Sequence, residues 1–193
     1  MEIDPDAAGS LYRTLAGAVI PRPIAWVSSV SPESTRNLAP YSFFNVVSID
    51  PPVLMVAPGA NADRKDTARN VRETGECVVN VVTEEFAEAM NASSATLPPD
   101  ESEFAHADVE PTPSAAVSPP RVAGVAVAFE CERYEVVDVG TAAMVLAEVV
   151  HVHVDDGVTT DGQLDTEKLD AVGRLSGNAY ARLRDRFTME RPP

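Results

Sequence analysis

Three serines and one short basic run are the residues of this sequence best placed to do chemistry. Ser28 and Ser29 close the run "AWVSS", Ser42 closes "APYS", and "RKDT" occupies residues 64 to 67. Hydroxyls and free backbone N–H groups at strand ends bind an anion or the polar edge of a heterocycle. The "RKDT" run opens a helical pattern, and a helix start offers unpaired N–H groups and the positive end of its dipole to a phosphate. Arg64 and Lys65 add full charges there. The same residues also read as a solvated Lys65 beside Asp66 capping the helix, and the sequence leaves both readings open. Tyr41, Phe43 and Phe44 crowd three aromatics into four positions of a chain that is 6% aromatic. They serve either as a platform for a flat ligand or as core.

Other groupings carry less. His151 and His153 in "HVHV" share one strand face at a spacing compatible with metal ligation, but no third ligand accompanies them. Cys77 and Cys131 are too few and too far apart in sequence for a disulfide framework or a zinc cluster, and read as buried structural thiols. No Ser-His-Asp order, nucleophile elbow, dinucleotide fingerprint or P-loop is present, so no residue is assigned as catalytic and none as a metal ligand. Gly173, Gly177 and Asn178 shape a turn before a last helical pattern.

The elements that must position these residues are mostly strands. Ile24 to Val30 reads as a strand, and "NLAPYSFFNVVS" as one further extended segment whose Pro40 restricts it to an edge, a bulge or a strand start. "PPVLMVAPG" is a third strand, ended by Pro58-Gly59. "DRKDTARNVRETGE" changes to helical period, with Gly75 placed to end it. "CVVNVV" returns to strand. "LYRTLAG", "TEEFAEAMNAS" (Thr83 as N-cap) and "NAYARLRDRF" read as short helices. Residues 96 to 120, rich in proline and small side chains, form a long surface excursion. Two long strands follow, Val125 to Val139 and Ala143 to Val154. Strands this close, with so few long helices, exclude repeated βαβ units. They predict a mainly β chain with short peripheral helices, a closed or partly closed barrel, in a single domain over residues 1–193.

Composition bounds the function. Thirty acidic residues against 15 basic ones leave a formal net charge of -15, and Lys65 and Lys168 are the only lysines. Such a surface repels nucleic acid. It reads as that of a halophilic protein, since a Debye length of about 3 Å in molar salt screens self-repulsion. No apolar run approaches the roughly 20 residues that span a bilayer, and "MEIDPDAAGS" lacks the layout of a secretory signal. A cytoplasmic location is expected.

Taken in order, "RPIAWVSS", "NLAPYSFFN", Pro51-Pro52, "KDTARNV", "SEF" at 102 to 104, "RLSGNAY" and a closing "RP" resemble the flavin reductase-like, flavoredoxin-type proteins of the FMN-binding split β-barrel class. The resemblance runs from about residue 11 to 192 and is weakest over 105 to 122. It implies FMN as cofactor. Trp26, Val27, Ser28 and Ser29, with Ala39, Pro40, Tyr41 and Ser42, would line the isoalloxazine and ribityl chain. The Lys65-Asp66-Thr67 helix start, chiefly Lys65 and Thr67, would meet the phosphate. Arg174 and Tyr180 follow from the R-x-x-G-x-x-Y pattern at the C-terminal end. The implied activity is hydride transfer from NAD(P)H to flavin, then onward to a flavin or protein acceptor, in a homodimer. A flavin-binding electron carrier, a pyridoxamine-phosphate oxidase-like enzyme and a deazaflavin-dependent reductase are alternatives on the same scaffold.

Overall fold

The computed structural model describes residues 2–59, 65–98 and 101–192. The N-terminal helix α1 (Tyr12–Ala18) leads to β1 (Ala25–Val30), β2 (Arg36–Tyr41), β3 (Phe44–Ile49) and β4 (Pro52–Val56). Helix α2 (Asp66–Thr74), β5 (Glu76–Val81), α3 (Ala87–Ala92) and α4 (Glu103–His106) follow, then the short β6 (Pro111–Thr112) and β7 (Arg121–Val122). The long β8 (Val127–Val139) and β9 (Ala142–Val154) precede two small hairpins, β10 (Thr159–Thr160) with β11 (Gln163–Leu164), and β12 (Val172–Arg174) with β13 (Tyr180–Arg182). No helix among the described residues is long and apolar enough to cross a membrane.

Seven strands form one antiparallel sheet in the order β2-β1-β5-β8-β9-β4-β3. Its two outermost strands are consecutive in sequence, separated only by Ser42 and Phe43. Two residues cannot bridge the width of a flat seven-stranded sheet, because neighbouring strands lie about 4.8 Å apart. The sheet must therefore curl until β2 and β3 approach. Register shifts in the β8–β9 ladder, at Glu130/Cys131 and Arg133/Glu135, and another in β3–β4, supply the bending. The edges do not pair with each other, which makes this a split barrel.

Period-2 alternation separates two core layers. Ala25, Val27, Leu54, Val56, Cys77, Val79, Cys131, Val145 and Ala147 fill the interior with Val71 of α2. Trp26, Leu38, Val78 and Ala128 face outward into a second layer with Met90, Phe104, Val117 and Val122. β1 is thus buried on both faces, which is why it reads as a nearly continuous apolar run. Helix α2 packs on β1, β2, β5, β8 and β9. It stops as expected at Gly75, whose φ of 81° suits glycine and whose N–H reaches the Val71 carbonyl at 3.0 Å.

Several expectations need correcting. The segment from residue 37 to 48 is two strands, not one, and they lie on opposite edges of the sheet. Pro40 does fall on an edge, where its missing N–H costs no ladder bond. The run from Asn178 to Phe187 is not helical, because Tyr180–Arg182 instead pairs with β12. Thr83 precedes a 3₁₀ turn at Glu84–Phe86 but makes no capping bond. Cys77 and Cys131, distant in sequence, sit directly opposite each other on β5 and β8. Their hydrogen bond, with burial, pushes the Cys131 thiol well up.

The excursion is not a loose surface loop. Its Phe104, Val117, Pro119 and Pro120 are buried, and polar groups on the sheet bind its backbone. Glu130 accepts from the N–H groups of Ala115 (2.9 Å) and Ala116 (2.6 Å), and Glu76 from that of Ser118 (2.9 Å). Asn80 accepts from Val122 N–H at 3.0 Å while donating to the Trp26 carbonyl at 2.9 Å. The Ser28 hydroxyl donates to the Pro120 carbonyl.

Candidate functional site

A groove follows β2 from Ala39 to Ser42. One end is a cavity of about 180 Å³, lined among others by Asn37, Lys65, Asp66, Thr96 and Glu103. The other is a cavity of about 230 Å³, lined by Tyr12, Ile24, Asn91, Arg174 and Tyr180 among others. Both share Pro40, Tyr41 and Ser94, so they form one continuous polar trough. Backbone topology creates it: β2 is an edge strand, and α2, α3 and the 174–180 turn rise around that edge.

Each end carries cationic groups. Lys65 is exposed at the N-cap of α2, and with only the Lys65 carbonyl taken by Arg69 N–H, the first-turn N–H groups beyond it have no helical partner. Asp66 does not cap the helix; it pairs with Arg69. Arg64 lies outside the described residues. At the far end, Arg174 stacks over the Tyr180 ring at 4.4 Å and donates to the Gly177 carbonyl, while Tyr180 donates to Asn91 at 3.3 Å.

Beneath the groove runs a directed chain of hydrogen bonds. The Tyr41 hydroxyl donates to Thr67 (3.0 Å), Thr67 to the Asn37 carbonyl oxygen (2.9 Å), and Asn37 Nδ2 to Glu103 (3.1 Å). Glu103 also accepts the Leu38 N–H at 3.0 Å, covering the open edge of β2. Asn70 donates to Ser29, which donates to the same Asn37 oxygen. Burial drives the Tyr41 phenol up to about 12, and burial also raises the Glu103 carboxyl.

Of the residues the sequence points to, Ala39, Pro40, Tyr41, Ser42, Lys65, Asp66, Arg174 and Tyr180 line this one trough. Trp26, Val27, Ser28 and Ser29 do not: all four side chains are buried. Trp26 gives its indole N–H to Ser93 at 2.8 Å, Ser28 holds the excursion, and Ser29 belongs to the Asn37 network. Thr67 is likewise buried with its hydroxyl already donating and accepting, leaving only its backbone to face a ligand. Asn37, Ser94, Glu103 and Arg22 are not singled out by sequence, although Asn37, Glu103 and Arg22 stand within quoted motifs, as polar residues in otherwise apolar or small runs. His151 and His153 lie on β9, and no group of three metal-ligating side chains occurs among the described residues.

The model of the flavin reductase-like domain family matches residues 16–169. The chain belongs to the flavin reductase-like family. Protein YwrF of Bacillus subtilis is 42% identical to this family member over 99% of the chain and 98% of its own length. Among solved structures, nitrilotriacetate monooxygenase component B from Bacillus cereus superposes with a TM-score of 0.94 at 35% identity, covering 98% of both chains. The Pseudomonas fluorescens 2-nitrobenzoate 2-nitroreductase NbaA gives 0.91 at 31% identity, covering all of this chain and 96% of its own. The split barrel is therefore that of the flavin reductases, and membership implies a flavin, FMN or FAD, as cofactor or substrate.

Proposed function

We propose that this flavin reductase-like protein is an FMN-binding, NAD(P)H-dependent oxidoreductase. One observation carries the reading: a single trough along Ala39–Ser42 joins a cationic helix start at Lys65 to the Arg174–Tyr180 stack. An elongated ligand with a polar ring system and a phosphate tail fits that arrangement. Lys65 and the free N–H groups of α2 would hold the phosphate. The exposed backbone edge of β2 and the Ser42 hydroxyl would orient the ring, with Tyr41 fixed beneath by Thr67. Asp66 and Glu103 also border the phosphate end. Asp66 is partly neutralised by Arg69, whereas Glu103 is bonded only by the neutral Leu38 N–H and Asn37 amide, so its charge when ionised has to be offset by Lys65.

Bound flavin supplies the hydride-accepting chemistry. The protein supplies position, donors and charge, so no catalytic acid or base is required of it. A homodimer is part of the proposal. β3 exposes Val46, Val47 and Ile49, the last 81% accessible, beside a 41% accessible Phe43. An edge strand this apolar invites a second copy.

Lys65→Ala tests the phosphate assignment. Losing a charge-assisted contact worth about 1.5–3 kcal/mol weakens FMN binding by roughly ten- to a hundredfold. Lys65 is solvent-exposed, so the thermal midpoint should stay put. Unchanged FMN affinity would sink the assignment. Anaerobic addition of NADH or NADPH to the FMN-loaded protein tests the activity. Bleaching supports a nicotinamide-dependent enzyme, whereas flavin that stays oxidised until a reduced protein is supplied would make the chain an electron carrier.

A further inference from the structure

Arg22 has no role in the trough as described, yet it is a buried cation beside it. Only 6% of the residue is exposed, and among the described residues no carboxylate pairs with it. Its partners are neutral: Nη1 donates to the carbonyls of Ala16 (2.5 Å) and Val19 (2.7 Å), and Nη2 to that of Leu175 (3.0 Å). The fourth bond runs from Nε to the Ser42 hydroxyl at 3.3 Å. The Arg22 backbone also exchanges hydrogen bonds with Arg174.

The direction of that fourth bond matters. A guanidinium only donates, so the Ser42 oxygen is committed as acceptor and its own proton must point elsewhere. Among the described residues that proton has no acceptor, and Ser42 lines the groove. Ser42 is therefore a donor toward the groove, strengthened by a charge behind it. Resting on the flavin reading above, we propose that Arg22 is a positioning residue that turns the Ser42 O–H toward the groove as a donor to an acceptor atom of the flavin ring. Its charge, met by carbonyl oxygens and the Phe43 ring at 5.9 Å but by no carboxylate among the described residues, favours the reduced, anionic form of the flavin. A hydride brings two electrons and one proton, leaving the ring one unit more negative, and a desolvated cation nearby stabilises that change more than an exposed one would.

The experiment measures FMN affinity and the two-electron midpoint potential of bound FMN by dye equilibration, in wild type, Ser42→Ala, Arg22→Gln, Arg22→Lys and the Ser42→Ala/Arg22→Gln pair. Ser42→Ala is expected to reduce the preference for reduced over oxidised flavin about tenfold, which for a two-electron couple is about 30 mV. Arg22→Gln should reduce it at least as far, Arg22→Lys less, and adding Ser42→Ala to Arg22→Gln should change little further. Failure of wild type to bind FMN overturns the flavin reading itself. FMN bound by every variant with an unmoved potential overturns only the role of Arg22 and Ser42. So does a lowered melting midpoint with no shift in potential, since that outcome describes a purely structural clamp. Should Arg22→Gln fail to fold, Ser42→Ala alone decides, because it removes a rim hydroxyl rather than a buried cation.

Discussion

Truncating Glu130 to alanine should loosen the 111–122 part of the excursion without touching the groove. Glu130 is wholly buried on β8, and its carboxylate receives the Ala115 and Ala116 N–H groups, with Arg121 Nε at 3.6 Å, too far for a good hydrogen bond. Each hydrogen bond to a charged group contributes about 1.5–3 kcal/mol, so the pair is worth roughly 3–6 kcal/mol gross. Ala115 and Ala116 are themselves exposed, so their freed N–H groups rehydrate, and the desolvation cost relieved by removing a buried carboxylate is set against leaving Arg121 without its ion-pair partner. A net loss of about 3 kcal/mol follows, which for a chain of this size lowers the melting midpoint by roughly 6–12 °C. Glu130→Gln keeps an acceptor in place and should lose about half as much. The assays are circular-dichroism melting with and without saturating FMN, limited proteolysis over 111–122, and FMN titration. Expected are the lower midpoint, earlier cleavage and an FMN affinity within about twofold of wild type, since none of residues 113–122 lines the trough. A midpoint within about 2 °C of wild type would refute the hold of Glu130 on Ala115 and Ala116. An affinity loss of tenfold at an unchanged midpoint would show residues 113–122 to be part of the binding site.

Three further outcomes are expected. Tyr41 should be the phenol that ionises near 12. Because its folded value lies above the unfolded value of about 10, the stability it contributes is complete below about pH 10 and is lost as pH rises through 12; absorbance titration of wild type against Tyr41→Phe should show that last step vanish. Trp26, the only tryptophan, should emit in the blue and resist iodide quenching, and Trp26→Ala should cost about 3–5 kcal/mol in denaturant unfolding. Red, readily quenched emission would contradict the outer core layer. Finally, the halophilic reading of the -15 charge expects a lower denaturation midpoint when molar salt is removed; full stability in dilute buffer would discard it.

The barrel was legible wherever burial imposes period on the sequence. β9 alternates between more and less buried positions over residues 142–148, and α2 ends where Gly75 permits a left-handed turn. The break between β2 and β3 at Ser42-Phe43 was not legible, because a lone serine is a weak turn signal and the apolar pattern runs through it. The false helix after Asn178 followed local propensity, which pairing with β12 overrides. In the site, strand-end residues on β2 were found because their backbone edge is what faces the groove. The burial of Ser28 and Ser29 was not legible, since a serine in a strand buried on both faces looks the same as one at a strand mouth. Its true partner, the Pro120 carbonyl, lies 92 residues away. Glu103 and Asn37 find each other over a similar distance, through an edge strand that only the folded topology creates.

The two-residue link between β2 and β3 has a thermodynamic consequence. Tyr41 ends the strand that borders the trough, and Phe44 begins the strand whose Val46, Val47 and Ile49 lie open. A ligand that stiffens the first strand restrains the second through one short tether, and a subunit seated on the second restrains the first. Where such coupling exists it is reciprocal: the factor by which flavin tightens self-association must equal the factor by which self-association tightens flavin. Dilution would then release cofactor, and cofactor removal would release subunits, with no contact between the flavin and the neighbouring copy required.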